Sequence, residues 1–272
     1  MQQVTQNVYA DALQPGCNPG YLNTKEGVIL IDTPQQPSYA KRLNEELNQK
    51  NRIIYVINTE HHRDHVMGNY FFLVPIVSHE KTREAILNLP MDSIIEKFKR
   101  FEPAFMESLE EYFIKAPSIT YSDRLTIYSG DHTIELINLP GHTAGQTAVY
   151  IPQERVVFTG DNIFCKVQTF IHQGFPEEWI DSLKKIESLD IDVIIPGHGE
   201  ICDKSYIPEQ ISFIQEWVDT VKDAIQKGLT KEEAQAKISF LDRYPMDIGH
   251  PEERGYELQR LNVGRLYDIY HQ

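Results

Sequence analysis

Thr59-Glu60-His61-His62-Arg63-Asp64-His65 lies directly behind the apolar run Ile53-Ile54-Tyr55-Val56-Ile57-Asn58, and the rest of the chain is read from it. The run has strand length and does not alternate with polar residues, as in a strand buried on both faces. Behind it, His62, Asp64 and His65 share one short loop. Histidines at i and i+3 with an aspartate between them can reach two neighbouring cations from a single backbone turn. Three later segments repeat the pattern of an apolar run followed by an imidazole or a carboxylate. Gly141-His142 follows the run that ends at Leu139, and Gly160-Asp161 follows Val156-Val157-Phe158-Thr159. Pro196-Gly197-His198-Gly199 follows Asp192-Val193-Ile194-Ile195. Gly141 is read as the residue that lets the chain turn sharply ahead of His142. Asp161 can bridge two cations through its two oxygens, and a water shared by two cations yields hydroxide near neutral pH.

Composition narrows the task. At 272 residues, 41% apolar and 24% charged, the chain has the make-up of a globular protein with a sizeable core. A formal net charge of -14 argues against nucleic acid or an anionic membrane as partner, because phosphate contacts need basic patches. No apolar stretch approaches a membrane span. Residues 1–12 are polar and lack an apolar signal core, so the chain is expected in the cytoplasm. Cys17, Cys165 and Cys202 are an odd set without CxxC spacing, as for free thiols in a reducing compartment. The expected partner is a small-molecule substrate, and a homodimer through the helical insertion or tail is admitted without being indicated.

Strands are predicted at residues 21–23, 27–32, 53–58, 74–78, 125–128, 134–139, 147–151, 155–159 and 192–195. Helices are predicted at 38–50, 176–189, 209–227, 231–237 and 252–270. Residues 80–117 break the alternation and read as a helical insertion split near Pro90 and Pro103. Its aromatics, Phe98, Tyr112 and Phe113 among them, form either a small core or an apolar lid. The whole reads as a single domain over residues 1–272 with a C-terminal helical extension from about residue 205.

The four polar segments, in this order, resemble the signature of the metallo-β-lactamase-fold hydrolase superfamily: a His-x-His-x-Asp-His loop, a Gly-His pair, a Gly-Asp carboxylate and a late Gly-His. Leu139-Pro140-Gly141-His142-Thr143-Ala144-Gly145-Gln146 also looks like the family's surroundings. The resemblance covers about residues 8 to 200. It implies an α/β fold, an αββα sandwich of two mixed sheets face to face with helices on both outer faces. It also implies two divalent metal ions, with His62 and His142 in the first site, Asp64, His65 and His198 in the second, and Asp161 bridging. Asp64 and Asp161 would be the catalytic carboxylates, and Asp32 would organise the loop beneath the metals.

Glu60 is the departure, because the family has its first histidine there. Glu60 is read as a carboxylate ligand of the first site. The alternatives are that His61 substitutes for it, or that the first site is weak or empty. His61 is disfavoured because neighbouring side chains in extended backbone point in opposite directions. An added carboxylate keeps zinc as the leading metal and admits iron or manganese. The expected activity is metal-dependent hydrolysis of an ester, thioester or lactone by a metal-bridging hydroxide. Alternatives are a mononuclear iron oxidoreductase of the persulfide dioxygenase type, a β-lactamase-like amide hydrolase, or a binding protein with a degenerate site. His172 is a candidate substrate contact. Thr59 and Gly145 are read as structural, and His79, His132, His250 and His271 as surface or capping residues.

Overall fold

A computed structural model describes residues 1–107, 109, 111–249 and 252–271. The first strands are β1 (Gln2–Gln3), β2 (Val8–Ala10), β3 (Gly20–Asn23), β4 (Val28–Ile31), β5 (Ile53–Ile57), β6 (Ile76–His79) and β7 (Ile119–Tyr121). They pair in that order into one sheet, antiparallel from β1 to β4 and parallel from β4 to β7. The second sheet has the order β12-β11-β10-β9-β8, made of β8 (Arg124–Ser129), β9 (His132–Asn138), β10 (Thr147–Ile151), β11 (Val156–Cys165) and β12 (Val193–Gly199). Only its β11–β12 pair is parallel.

The two sheets face each other through a shared core. Leu22, Ile29, Ile31, Ile57 and Val77 of the first meet Ile134, Leu136, Val149, Val156, Phe158 and Ile195 of the second. The outer face of the first sheet is covered by α1 (Pro37–Lys50). This helix starts with Pro37 in its first turn, where no intrahelical hydrogen bond is lost, and buries Tyr39, Ala40, Leu43 and Leu47 at helical spacing. The outer face of the second sheet packs against α6 (Pro176–Ser188), α7 (Ile207–Gln226), α8 (Lys231–Lys237) and α9 (Glu252–Tyr270). Trp179 and Trp217 lie fully buried there. The αββα sandwich is therefore present as expected.

The insertion folds as α3 (Glu80–Leu87), α4 (Met91–Phe101) and α5 (Pro103–Glu107), broken near both prolines. The described residues between 108 and 117 have no helix, so the predicted helical stretch ends early. Ile86, Ile94, Phe98, Met106 and Ile114 form a small core that closes on Val66 and Met67. Those two residues follow His65, so the insertion braces the polar loop, and none of its described residues lines the cavity over that loop. Phe113 is exposed.

Two strand boundaries correct the sequence reading. β11 and β12 run on through Asp161 and His198, which were expected just past strand ends. Register shifts between Phe158 and Gly160 and between Gly160 and Phe164 let β11 continue, since each bulge re-aims side chains without ending the pairing.

Candidate metal centre

The loop between β5 and α2 (Arg63–Val66) is fixed from several sides. Asp32, at a φ of 54°, accepts the Thr59 amide (2.8 Å) and the Thr59 hydroxyl (2.6 Å). Thr147 of β10 donates its amide to the Thr59 carbonyl at 2.8 Å. The His65 carbonyl accepts from Thr33 N, Thr33 Oγ1 and Asn58 Nδ2. With the backbone held this way, His62 and the Asp64–His65 pair turn towards different neighbours.

Glu60, His62, His142 and Asp161 form one group whose ligand-type atoms all lie within 4.8 Å of one another. Asp64, His65 and His198 form a second such group. Glu60 is fully buried, with Oε2 2.7 Å from His62 Nδ1 and Oε1 3.7 Å from His142 Nε2. Asp161 stands between the groups. Its Oδ1 is 3.0 Å from His65 Nε2, and its Oδ2 is 3.4 Å from both His142 Nε2 and His198 Nε2. His198 Nε2 also lies 3.2 Å from Asp64 Oδ2. His61 belongs to neither group, and its Nε2 faces Gln173 Oε1 at 3.2 Å. Cys17, Asp32 and His65 form a third such group, so His65 belongs to two groups, and Asp161 lies within 3.4 Å of imidazoles from both of the groups at the cavity.

Both oxygens of Glu60, Oδ1 of Asp161 and Nε2 of His65 are buried without a hydrogen-bond partner. Buried polar atoms are rarely left unpaired, and each such atom costs on the order of 1–3 kcal/mol. Atoms that approach this closely without hydrogen-bond alignment fit convergence on a cation. The donor set of imidazoles and carboxylates suits zinc, and its hard oxygens also suit iron or manganese.

The rings are aimed from behind. His65 Nδ1 faces Asp32 Oδ2 at 2.9 Å, His142 Nδ1 donates to the Phe170 carbonyl at 2.6 Å, and His198 Nδ1 faces Asp247 Oδ2 at 2.7 Å. Each contact turns Nε2 towards the carboxylates, the arrangement that fixes tautomer and orientation in metal sites. Asp32 has the organising position expected of it. Asp247 and the Phe170 carbonyl were missed, because neither lies near a motif. The segment holding Phe170 is in turn held by Asn262 of α9, which accepts from Ile171 N (2.7 Å) and donates to the Thr169 carbonyl (2.8 Å). Cys17 was also missed; its Sγ donates to the Asp64 carbonyl.

Electrostatics follow from seven titratable groups crowded into one largely buried volume. Burial pushes the Glu60 carboxyl up against the pull of His62. Burial works the same way on Asp161, but His198 and His65 overcome it and hold that carboxyl well below the usual range. Asp64 is likewise lowered, its burial outweighed by the hydrogen bond from His198 and the charge of His65. Burial opposes charge on His198, yet Asp161, Asp247 and Asp64 raise it well above an ordinary histidine. His142 goes the other way, pushed well below by burial. Bound cations would compensate these carboxylates in place of protons.

Two glycines make room for this arrangement. A Cβ on Gly197 would fall 1.9 Å from Asp161 Oδ1, and one on Gly141 would fall 2.5 Å from Asn162 Oδ1 and 2.8 Å from the Trp179 ring. The chain bends at Gly141 as expected, but its φ is not positive, so glycine is required there for close packing. His172 lines the cavity over the site together with Arg63 and Arg254, and its ring stacks on His62 with centroids 5.5 Å apart. Burial, His62 and Arg254 push its imidazole down to about 4. His79 caps α3 by accepting from Lys81 N, as expected, and His271 stacks on Tyr267. His132 is no surface residue. It is buried and sits 2.9 Å from Glu154 Oε1. His250 lies outside the described residues. Gly145 packs against Thr82, which suits a structural role.

Comparison with known proteins places the family and the fold. Residues 14–198 match the family model of the metallo-beta-lactamase superfamily. The chain is 27% identical over 217 residues to the beta-lactamase-like protein 2 homolog of Caenorhabditis elegans, a match covering 76% of this chain and 66% of that protein. It is 28% identical over 160 residues to a hydroxyacylglutathione hydrolase of Prochlorococcus marinus, covering 56% and 54% respectively. The matches thus span between half and two thirds of these relatives' lengths. A metallo-beta-lactamase family protein of Thermus thermophilus has the same fold, with a TM-score of 0.70, 16% identity, and coverage of 99% of this chain and 95% of that one. On the extent of the family match and the shared sandwich, this chain belongs to the metallo-beta-lactamase superfamily.

Proposed function

We propose that this protein is a metal-dependent hydrolase of an ester, thioester or lactone in a small organic substrate, with Glu60 as a ligand of the first of two cation sites. The carrying observation is the ring of buried, unpartnered atoms from Glu60, Asp161 and His65, set against His62, His142 and His198. Bound divalent ions there supply Lewis-acid polarisation of a carbonyl oxygen and a bridging water acidic enough to be a nucleophile.

The residues set what that chemistry can use. Glu60, His62 and His142 hold one side of the ring, Asp64, His65 and His198 the other, and Asp161 faces both. Asp64 is partly exposed at the cavity, on the side from which substrate enters. From there it can orient the attacking water, and its low proton affinity keeps it an ionised carboxylate that accepts a hydrogen bond. Phe170 and His172 wall the cavity and limit water around the reacting carbonyl.

The thioester option draws support from the hydroxyacylglutathione hydrolases among the relatives, whose name states an acyl-glutathione substrate. Inclusion of the Glu60 carboxylate in the ring favours an adapted site over a degenerate one. Elemental analysis of purified protein, joined to a panel of chromogenic esters, thioesters, lactones, phosphodiesters and a cephalosporin, tests the reading. Two equivalents of metal and oxygen-independent turnover of an acyl substrate are expected. One iron per chain with oxygen consumption would replace the hydrolase with an oxidoreductase.

A further inference from the structure

We propose that the substrate carries an anionic group close to its scissile bond, and that Arg63 and Arg254 bind it at the mouth of the site. The proposal rests on the hydrolase reading above and names the substrate class.

Both guanidinium side chains line the same cavity of about 120 Å³ that opens onto His62, Asp64, Asp161 and His198. They reach it from unrelated parts of the chain. Arg63 begins α2, between His62 and Asp64, and Arg254 sits in the first turn of α9, outside the segment that matches the family. Arg63 is half-buried, and among the described residues no acidic side chain pairs with it. A half-buried guanidinium without a carboxylate has no evident structural task and keeps its donors for a ligand. Among the described residues Arg254 pairs only with Glu257, one turn further along its own helix, and a pair with so exposed a carboxylate is worth little.

The surroundings favour an anion at this mouth even though the chain is strongly acidic. Bound dications would offset the charge of Glu60, Asp64 and Asp161, and the guanidiniums add positive charge at the cavity. Arg presents a planar fork of donors that matches a carboxylate or related oxyanion in two-point contact. Because the cavity is small, a group reaching the rim lies only a few bonds from a carbonyl held at the metals. A short dicarboxylic half-ester or half-thioester has that shape.

The test compares 4-nitrophenyl hemisuccinate with the neutral 4-nitrophenyl butyrate on the zinc-loaded protein and on its Arg63→Met and Arg254→Met variants. The wild-type protein is expected to favour the anionic ester at least tenfold in kcat/KM, and each substitution to bring the anionic-to-neutral ratio towards one. Calorimetric binding of 3-phenylpropane-1-sulfonate against 3-phenylpropan-1-ol gives a second reading without turnover, using an anion that ligates zinc poorly. If neither ester is cleaved but the sulfonate binds in an arginine-dependent way, the hydrolase reading fails and the anion site stands. Equal treatment of charged and neutral probes by the wild-type protein, or ratios unmoved by both substitutions, would overturn the proposal.

Discussion

Replacing Asp247 probes whether the tail beyond the family-matched segment belongs to the metal site. Asp247 Oδ2 is 2.7 Å from His198 Nδ1, while His198 Nε2 faces Asp64 and Asp161. The aspartate is 9% exposed, so little water can take its place. A hydrogen bond to a charged partner contributes about 1.5–3 kcal/mol. At about 1.4 kcal/mol per factor of ten, that corresponds to roughly 10- to 150-fold in affinity. Carboxylates behind metal-bound histidines typically contribute about 10–100-fold, in agreement. Asp247→Asn removes the charge but keeps an acceptor, so zinc should bind about tenfold more weakly. Asp247→Ala removes both, and the loss should approach a hundredfold. Competition with a chromophoric chelator measures the affinity, and the visible absorption of cobalt-loaded protein reports the second site's geometry. A purely structural role would lower stability and leave the cobalt spectrum of the folded protein unchanged. Wild-type zinc affinity and an unaltered cobalt spectrum in Asp247→Ala would refute the reasoning.

Other substitutions test other links. Gly197→Ala places a methyl group 1.9 Å from Asp161 Oδ1 and 2.7 Å from the Gly160 carbonyl carbon. Main chain cannot move aside cheaply, so a loss of about 3 kcal/mol in stability and at least tenfold in metal affinity is expected, and wild-type stability with normal metal binding would contradict it. Asn262→Ala strands the Ile171 amide and the Thr169 carbonyl, at about 3 kcal/mol together, read as a fall of several degrees in Tm. An unchanged Tm would show that the 169–171 segment is held by other contacts. Glu154 is held below the ordinary glutamate range, since bonds from Thr5, Asn7 and His132 outweigh its burial. A depressed carboxylate stabilises the fold above its unfolded pKa, and that contribution fades as pH falls through the folded value. Glu154→Gln should therefore cost about 1 kcal/mol near neutrality after allowance for solvent access, with the gap to wild type closing in acid. A constant gap from about pH 7 to about pH 3 would contradict the ionic role.

The sequence carried the parts of this account that local chemistry writes down. β5 and the loop 59–65 were legible because an apolar run and a dense set of ligand-type residues sit side by side. Helices α1 and α6 were legible from proline starts and apolar spacing. The full lengths of β11 and β12 were not, since glycine and proline at Gly160, Pro196 and Gly197 read as strand ends, and only parallel pairing with bulges keeps both strands going. β1, β2 and β7 are too short to leave a period. Asp247 and Asn262 lie 49 and 91 residues from the residues they hold, so no spacing could announce them. His132 looked like a surface histidine because its partner, Glu154, comes from beyond the next strand.

Glu60 decides whether the variant loop is a working metal ligand set. Diffraction from crystals grown with zinc, manganese or iron, collected at the absorption edge of the added metal, measures this directly. The account predicts two ions, one of them about 2.0–2.2 Å from a Glu60 carboxylate oxygen and shared with His62, His142 and Asp161. A Glu60 side chain turned away from every ion, or a ring of ligands free of metal, would contradict it.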